Sequence, residues 1–108
     1  MANNFRSNVT PSVSTSASNV YVCQSGTQAT LIGMSIANIL SSTITASVVL
    51  NSGPLAVHVV KNATIGPGQS LIPIGGDQKI VMEAGDYLTV QTSDITSADV
   101  IVSVLEIT

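Results

Sequence analysis

The stretch formed by residues 75–108, GGDQKIVMEAGDYLTVQTSDITSADVIVSVLEIT, decides the fold. It contains three short apolar runs, separated by turn residues at positions 83–86 and 92–97. Such runs with turn residues between them predict an antiparallel meander. The last run, residues 100–105, is apolar at almost every position and therefore on both faces of a strand. A chain of 108 residues has little interior with which to cover both faces, so we expect one face to contact another subunit.

The upstream sequence continues the same pattern of short β-branched runs and turn clusters, and no segment has the periodicity of an amphipathic helix. Ile32, Met34 and Ile36 alternate with small residues and are expected to point to one core. Further strands are predicted at residues 19–23, 30–40, 45–50, 55–61 and 70–74. About eight short strands at regular spacing predict an all-β fold, an antiparallel two-sheet β-sandwich that is jelly-roll-like in topology.

The first eighteen residues differ in composition from the rest. They are rich in Ser, Thr and Asn, and Pro11 interrupts any strand ladder. We therefore divide the chain into a flexible N-terminal arm at residues 1–18 and one β-sandwich domain at residues 19–108. The arm is either a disordered tail or a segment that adds a strand to the edge of a neighbouring subunit. Phe5, Val9 and Val13 are spaced four apart and would share one face of an extended segment.

Low charge favours association. Charged residues make up 8% of the chain, against roughly 25% in ordinary soluble domains. Removing water from such a surface therefore costs little free energy. A homo-oligomer is expected. The candidate interface residues are Phe5, Val9, Val13, Ile101, Leu105 and Ile107.

The same composition excludes several classes of partner. The net charge is −3 with three cationic residues, which is too few for a nucleic-acid footprint. No run approaches the ~20 apolar residues of a membrane helix, and the N-terminus lacks the apolar core of a secretion signal. We expect no nucleic acid, no membrane and synthesis in the cytoplasm.

Candidate catalytic and metal-binding residues are few. Cys23 and His58 are the only cysteine and histidine, so a disulfide within the chain is excluded and a zinc site nearly so. Cys23 is expected in the core, and His58 is expected to be half-buried or at an interface. The acids Asp77, Asp86, Asp94 and Asp99 lie at turns or strand ends without the spacing of a calcium loop. We predict no enzymatic activity, no cofactor and no metal.

The pairing of GGDQKIVMEAGDYLTVQTS with the closing DVIVSVLEI resembles small structural proteins of the virions of tailed bacteriophages, notably those that infect marine cyanobacteria. The resemblance extends over residues 19–108 and is sharpest at 75–107. It implies a β-sandwich particle component without enzymatic activity.

On this resemblance the expected function is a non-enzymatic virion structural protein, a capsid decoration (cement) protein that stabilises the phage head. A trimer is expected, located in the virion, with the major capsid protein or other virion proteins as partners. One alternative is a tail, neck or fibre component that contacts the host surface. A more distant alternative is a small soluble carbohydrate- or ligand-binding β-domain, although Phe5, Tyr21 and Tyr87 are the only aromatic residues.

Overall fold

The computed structural model of the chain describes residues 3–75 and 79–108, and over these residues it consists of β-strands, turns and loops. Asp77 and the turn residues around it lie outside the described residues. Within them no helix is long and apolar enough to span a bilayer. The strands are β1 (Asn3–Val13), β2 (Ser18–Val22), β3 (Gln28–Asn38), β4 (Ile44–Ser52), β5 (Leu55–Ile65), β6 (Ser70–Ile74), β7 (Ile80–Met82), β8 (Tyr87–Thr92) and β9 (Ala98–Ile107).

The strands form two antiparallel sheets that pack face to face. The five-stranded sheet has the order β1-β9-β3-β6, with β7 also paired to β3, and the four-stranded sheet has the order β2-β8-β4-β5. The predicted all-β two-sheet sandwich is confirmed, with nine strands in the described residues against the eight expected. The jelly-roll description of its connectivity stays a prediction.

The core lies between the sheets and is filled by aliphatic side chains. Strand β9 supplies Val100, Val102 and Val104, all buried, while Ile101 between them is exposed on the opposite face. Strand β9 is therefore apolar on both faces, as predicted. The four-stranded sheet covers its inner face, and its outer face is exposed in the single chain. Cys23 is buried in the same core, as expected.

Strand β3 corrects one detail of the predicted core. Uninterrupted alternation would bury Ile32 along with Met34 and Ile36, but a register shift between Leu31 and Gly33 interrupts the pairing with β9. Leu31 is buried in its place and Ile32 is only half-buried. A β-bulge inserts one unpaired residue and reverses the side-chain phase on one side of it, and hydropathy alone does not locate it.

The N-terminal segment is not a free arm. Residues 3–13 form β1, which pairs antiparallel with β9 of the same chain from Asn3↔Ile107 to Val13↔Ala98. The boundary between an arm at residues 1–18 and a domain at 19–108 is therefore wrong for the described part of this segment. Pro11 lies in the register shift between Thr10 and Val13, where its missing N–H removes no ladder bond.

Candidate functional site

The outer face of the five-stranded sheet, which points away from the core, carries two apolar rows that run across the strands. One row joins Phe5 on β1 to Leu105 on β9 and Thr30 on β3, and ends at Val81 on β7. Phe5 is 78% exposed and Val81 is 66% exposed. Cross-strand partners in a sheet lie on the same face with Cβ atoms about 5 Å apart, so this row is an apolar ridge in which Thr30 is the one polar member.

The second ridge lies four residues farther along the strands. Val9 on β1 faces Ile101 on β9, which faces Ser35 on β3, and Ile72 on β6 lines the same depression as Ile101 and Ser35. Val9 is 70% exposed and Ile101 is 49% exposed. Both ridges therefore present apolar side chains to solvent on one side of the molecule.

Small residues form a valley between the two ridges. Ser7 pairs with Ser103, and Ser103 pairs with Gly33. A shallow cavity of about 250 Å³ lies at the β3 side of this valley, with Gly33, Ser103, Ile72 and Ile101 among its lining residues. A surface with alternating ridges and a valley can interdigitate with another sheet, as the inner faces of β-sandwiches do at a spacing of about 10 Å.

Charge is nearly absent from this outer face. On the outward positions of β1, β9 and β3, which the structure describes in full, the one charged residue is Asp99, at the end of β9. Its Oδ1 accepts a hydrogen bond from the Ser12 amide at 3.0 Å. The ridges and the valley can therefore be dehydrated without burying an ion.

Five of the six predicted interface residues share this face: Phe5, Val9, Ile101, Leu105 and Ile107. Val13 does not, because it is 1% exposed and packs in the core. The register shift after Thr10 changes the phase of β1 and turns Val13 inward. The even spacing of Phe5, Val9 and Val13 did not reveal this shift.

A polar cluster that the sequence did not reveal lies on the inner side of the same sheet. Glu106 is a buried carboxylate on β9. It accepts a hydrogen bond from the Tyr21 hydroxyl at 2.5 Å, and Arg6 on β1 lies 3.4 Å from its other oxygen. Burial and the bond to Glu106 raise the pKa of Tyr21 well above its ordinary value. The sequence feature that could have predicted this cluster is Glu106 itself, an acid at an inward position of the apolar strand β9.

The charges of this cluster are partnered, since Glu106 binds both Tyr21 and Arg6, and Arg6 is largely exposed. Burial raises the pKa of the Cys23 thiol, whose Sγ contacts the Thr27 carbonyl oxygen at 3.3 Å, and a raised pKa disfavours the reactive thiolate.

His58 lies on the edge strand β5 and is exposed. The expectation of a half-buried histidine is therefore wrong for the single chain, and a role at an interface stays a prediction. It borders a depression of about 290 Å³ with Lys61, Asn62 and Gln91 among its lining residues. No carboxylate is among the residues that line this depression, so no acid orients the imidazole there.

The Asp86 side chain stabilises a turn. Asp86 Oδ2 accepts a hydrogen bond from the Glu83 amide at 3.0 Å, in a turn where Gly85 has φ +92°. In residues 3–75 and 79–108 no three His, Cys, Asp or Glu side chains converge as metal ligands would.

A polar cleft of about 430 Å³ separates β1 from β2, with Asn8, Thr10, Asn19 and Gln24 among its lining residues. Asn8 crosses it and donates to the Val20 carbonyl at 3.5 Å. Tyr21, the aromatic residue that lines this cleft, is buried and bonded to Glu106. It is not available as a stacking surface for a sugar.

No protein-family profile matches the chain, and no curated protein sequence matches it. A solved structure described by the words "Bacillus endospore appendages form a novel family of disulfide-linked pili" is similar in fold, with a TM-score of 0.59 at 12% sequence identity. The similarity covers 99% of this chain and 87% of that chain. At this identity it supports the β-sandwich fold and nothing finer.

Proposed function

We propose that the protein is a non-enzymatic structural subunit that assembles with copies of itself through the outer face of the five-stranded sheet. The observation that carries the proposal is the pair of apolar ridges on that face, with a valley of Ser7, Ser103 and Gly33 between them. Exposed apolar patches of this kind mark interaction surfaces in soluble proteins.

The size of the face is adequate for a modest interface. Strands β1, β9 and β3, each about ten residues long, and the shorter β6 and β7 beside β3, all spaced ~4.8 Å apart, give roughly 600 Å² of flat area. A standard interface buries about 800 Å² on each partner. Burying each exposed large side chain of the ridges contributes about 1–2 kcal/mol. Five of them per copy therefore offset the ~4–15 kcal/mol cost of association, because both copies contribute.

Within this class we propose a capsid decoration protein of a tailed phage. The proposal is supported by the resemblance of residues 75–107 to virion proteins, the low charge and the apolar face. Such a protein occupies junctions between capsid subunits, where symmetry repeats each weak contact many times and avidity makes the sum strong. A trimer that contacts the major capsid protein remains the proposed form.

The second candidate is a tail, neck or fibre component, and one observation favours it: a similar fold occurs in the solved pilus structure. This chain lacks an obvious route to disulfide-linked polymers, because its single cysteine, Cys23, is buried. A fibre built from it would depend on the outer face and on sheet edges.

Quantitative mass spectrometry of purified particles distinguishes the two placements. A decoration protein is expected on the order of hundreds of copies per particle, and a tail or fibre component at tens or fewer, because capsid symmetry multiplies each site. Absence of the protein from purified particles would overturn both placements, while self-association would still be measurable on the isolated protein.

A further inference from the structure

Strand β1 is held to its own chain by backbone pairing with β9 and by two side-chain contacts, Arg6 to Glu106 at 3.4 Å and Asn8 to the Val20 carbonyl at 3.5 Å. Its one strand partner is β9, which it matches from Asn3↔Ile107 to Thr10↔Val100. Asn8 and Thr10 are half-buried, and the other side chains of residues 3–10 are exposed. Removing these eight residues from β9 would therefore leave the hydrophobic core intact.

The chain immediately after β1 is anchored firmly. The Val13 carbonyl accepts a bond from the Ser97 amide at 2.9 Å, and the Ser14 carbonyl accepts one from the Thr92 amide at 3.1 Å. The Ser14 hydroxyl accepts a further bond from the Thr96 amide at 2.9 Å. Val13 is also a core residue. The fixed part of the chain therefore begins at Val13.

Two residues join the separable strand to this anchor. The register shift between Thr10 and Val13 leaves Pro11 and Ser12 outside the ladder with β9. Ser12 has φ +56°, a left-handed conformation that costs a non-glycine residue about 1–2 kcal/mol. Pro11 favours an extended conformation in the residue before it. The bulge at Pro11 and Ser12 is therefore the joint of the strand, and one hydrogen bond, from the Ser12 amide to Asp99 Oδ1 at 3.0 Å, holds it to β9.

We propose that residues 3–10 of β1 are exchanged between copies, so that each copy's β1 pairs with β9 of a neighbouring copy. This inference rests on the proposed self-assembly, since it concerns how the copies are joined. The occupant of β9 is then β1 of a second copy, reciprocally in a dimer or in sequence around a trimer.

The exchange keeps the contacts that β1 makes within one chain. The pairs Phe5–Leu105, Ser7–Ser103 and Val9–Ile101 form again between chains, so the ridges of the outer face remain complete. Arg6 meets Glu106 of the neighbouring copy. The gain is the high local concentration of β1 once the outer faces have brought copies together.

The pair Ser7↔Ser103 offers a direct test, because facing residues in an antiparallel ladder have Cα atoms about 4.5–5.5 Å apart, within reach of a disulfide. Ser7→Cys and Ser103→Cys are combined in a chain that also carries Cys23→Ser. The assembled fraction is isolated by size exclusion, oxidised, denatured and run on a non-reducing gel. Exchange predicts covalently linked dimers or larger species.

The matched control keeps Ser103→Cys and replaces Ser7→Cys with Gly33→Cys. Gly33 faces Ser103 from β3, and a Cβ there meets the Ile74 carbonyl oxygen at an ordinary 3.8 Å. This pair lies within one chain in either arrangement, so it should give oxidised monomers. Monomers from the Ser7→Cys pair as well, or no crosslink from it while the control reacts, would overturn the exchange.

Failure of the exchange is distinguishable from failure of the proposed assembly. Light scattering on the wild-type protein reports self-association alone. Self-association of the wild-type protein, combined with disulfides that stay within one chain in the Ser7→Cys/Ser103→Cys variant, would retain the assembly and refute the exchange. Mixing the single variants Ser7→Cys and Ser103→Cys under refolding conditions adds a second readout, because exchange predicts a covalent heterodimer of these two and none when Gly33→Cys replaces Ser7→Cys. A heterodimer from both mixtures would report face-to-face contact and count against the exchange.

Discussion

Replacing Ile101 with aspartate should dissociate the assembly while leaving the sandwich folded. Ile101 lies at the centre of the outer face, between Val9 and Ser35, and 49% of it is exposed in the single chain. That exposed half is the part available for burial by a second copy. Its loss removes about 1 kcal/mol of apolar burial per copy, and an unpaired carboxylate in the contact adds at least ~2 kcal/mol.

About 3 kcal/mol per copy, counted for the two copies of a contact, is about 6 kcal/mol and corresponds to a roughly 10,000-fold weaker dissociation constant. The assay is multi-angle light scattering over a concentration series, with circular dichroism to confirm an unchanged strand content. Val57→Asp is the matched control, because Val57 is an exposed strand residue on β5 of the other sheet. Equal effects of both variants, or an unchanged oligomer with Ile101→Asp, would refute the reasoning about the outer face.

Three further predictions concern the fold. Tyr21 has its pKa raised from 10.0 in the folded chain. The unfolded chain therefore loses the tyrosine hydroxyl proton at lower pH than the folded chain, and the free energy of unfolding should fall as pH rises above about 10. In denaturant titrations, Tyr21→Phe should remove the part of this pH dependence that is due to Tyr21. The same variant should lower the free energy of unfolding by about 1–3 kcal/mol at neutral pH, because Glu106 loses a hydrogen-bond donor. Asn38→Ala should lower the free energy of unfolding in urea by about 2–4 kcal/mol, because the Asn38 Nδ2 lies within 2.8–3.1 Å of the Ser42, Ile65 and Gly66 carbonyl oxygens. Asn51→Ala, at a more exposed site, is the control and should change the free energy of unfolding little. Cys23 should react with a thiol reagent only at the rate of unfolding, since it is buried with a raised pKa; fast labelling of the folded protein would contradict this.

Hydropathy and turn chemistry were enough to predict the class of fold. The continuous apolar run of β9 predicted a strand that is apolar on both faces, and the structure shows one of these faces buried and the other carrying the exposed Ile101. The turn before β8 was predicted from Glu83, Gly85 and Asp86, and Gly85 has the expected positive φ. These features are local, so a single sequence contains the information that determines them.

The errors arose where pairing between distant segments decides the outcome. The composition of residues 3–13 lacks the apolar side chains of a core strand, yet β1 forms because β9 offers an edge for backbone hydrogen bonds. The register shifts at Thr10–Val13 and Leu31–Gly33 turned Val13 inward and Ile32 partly outward. The Tyr21–Glu106 hydrogen bond joins residues that are 85 positions apart in the sequence. No local sequence pattern predicts a contact between residues so far apart.

Self-association through the outer face is tested most directly by the mass of the wild-type protein in solution. Multi-angle light scattering at tens of micromolar should give an integral multiple of the 11.0 kDa chain. The multiple should fall with Ile101→Asp and stay unchanged with Val57→Asp. A mass of one chain at that concentration would contradict the proposed assembly.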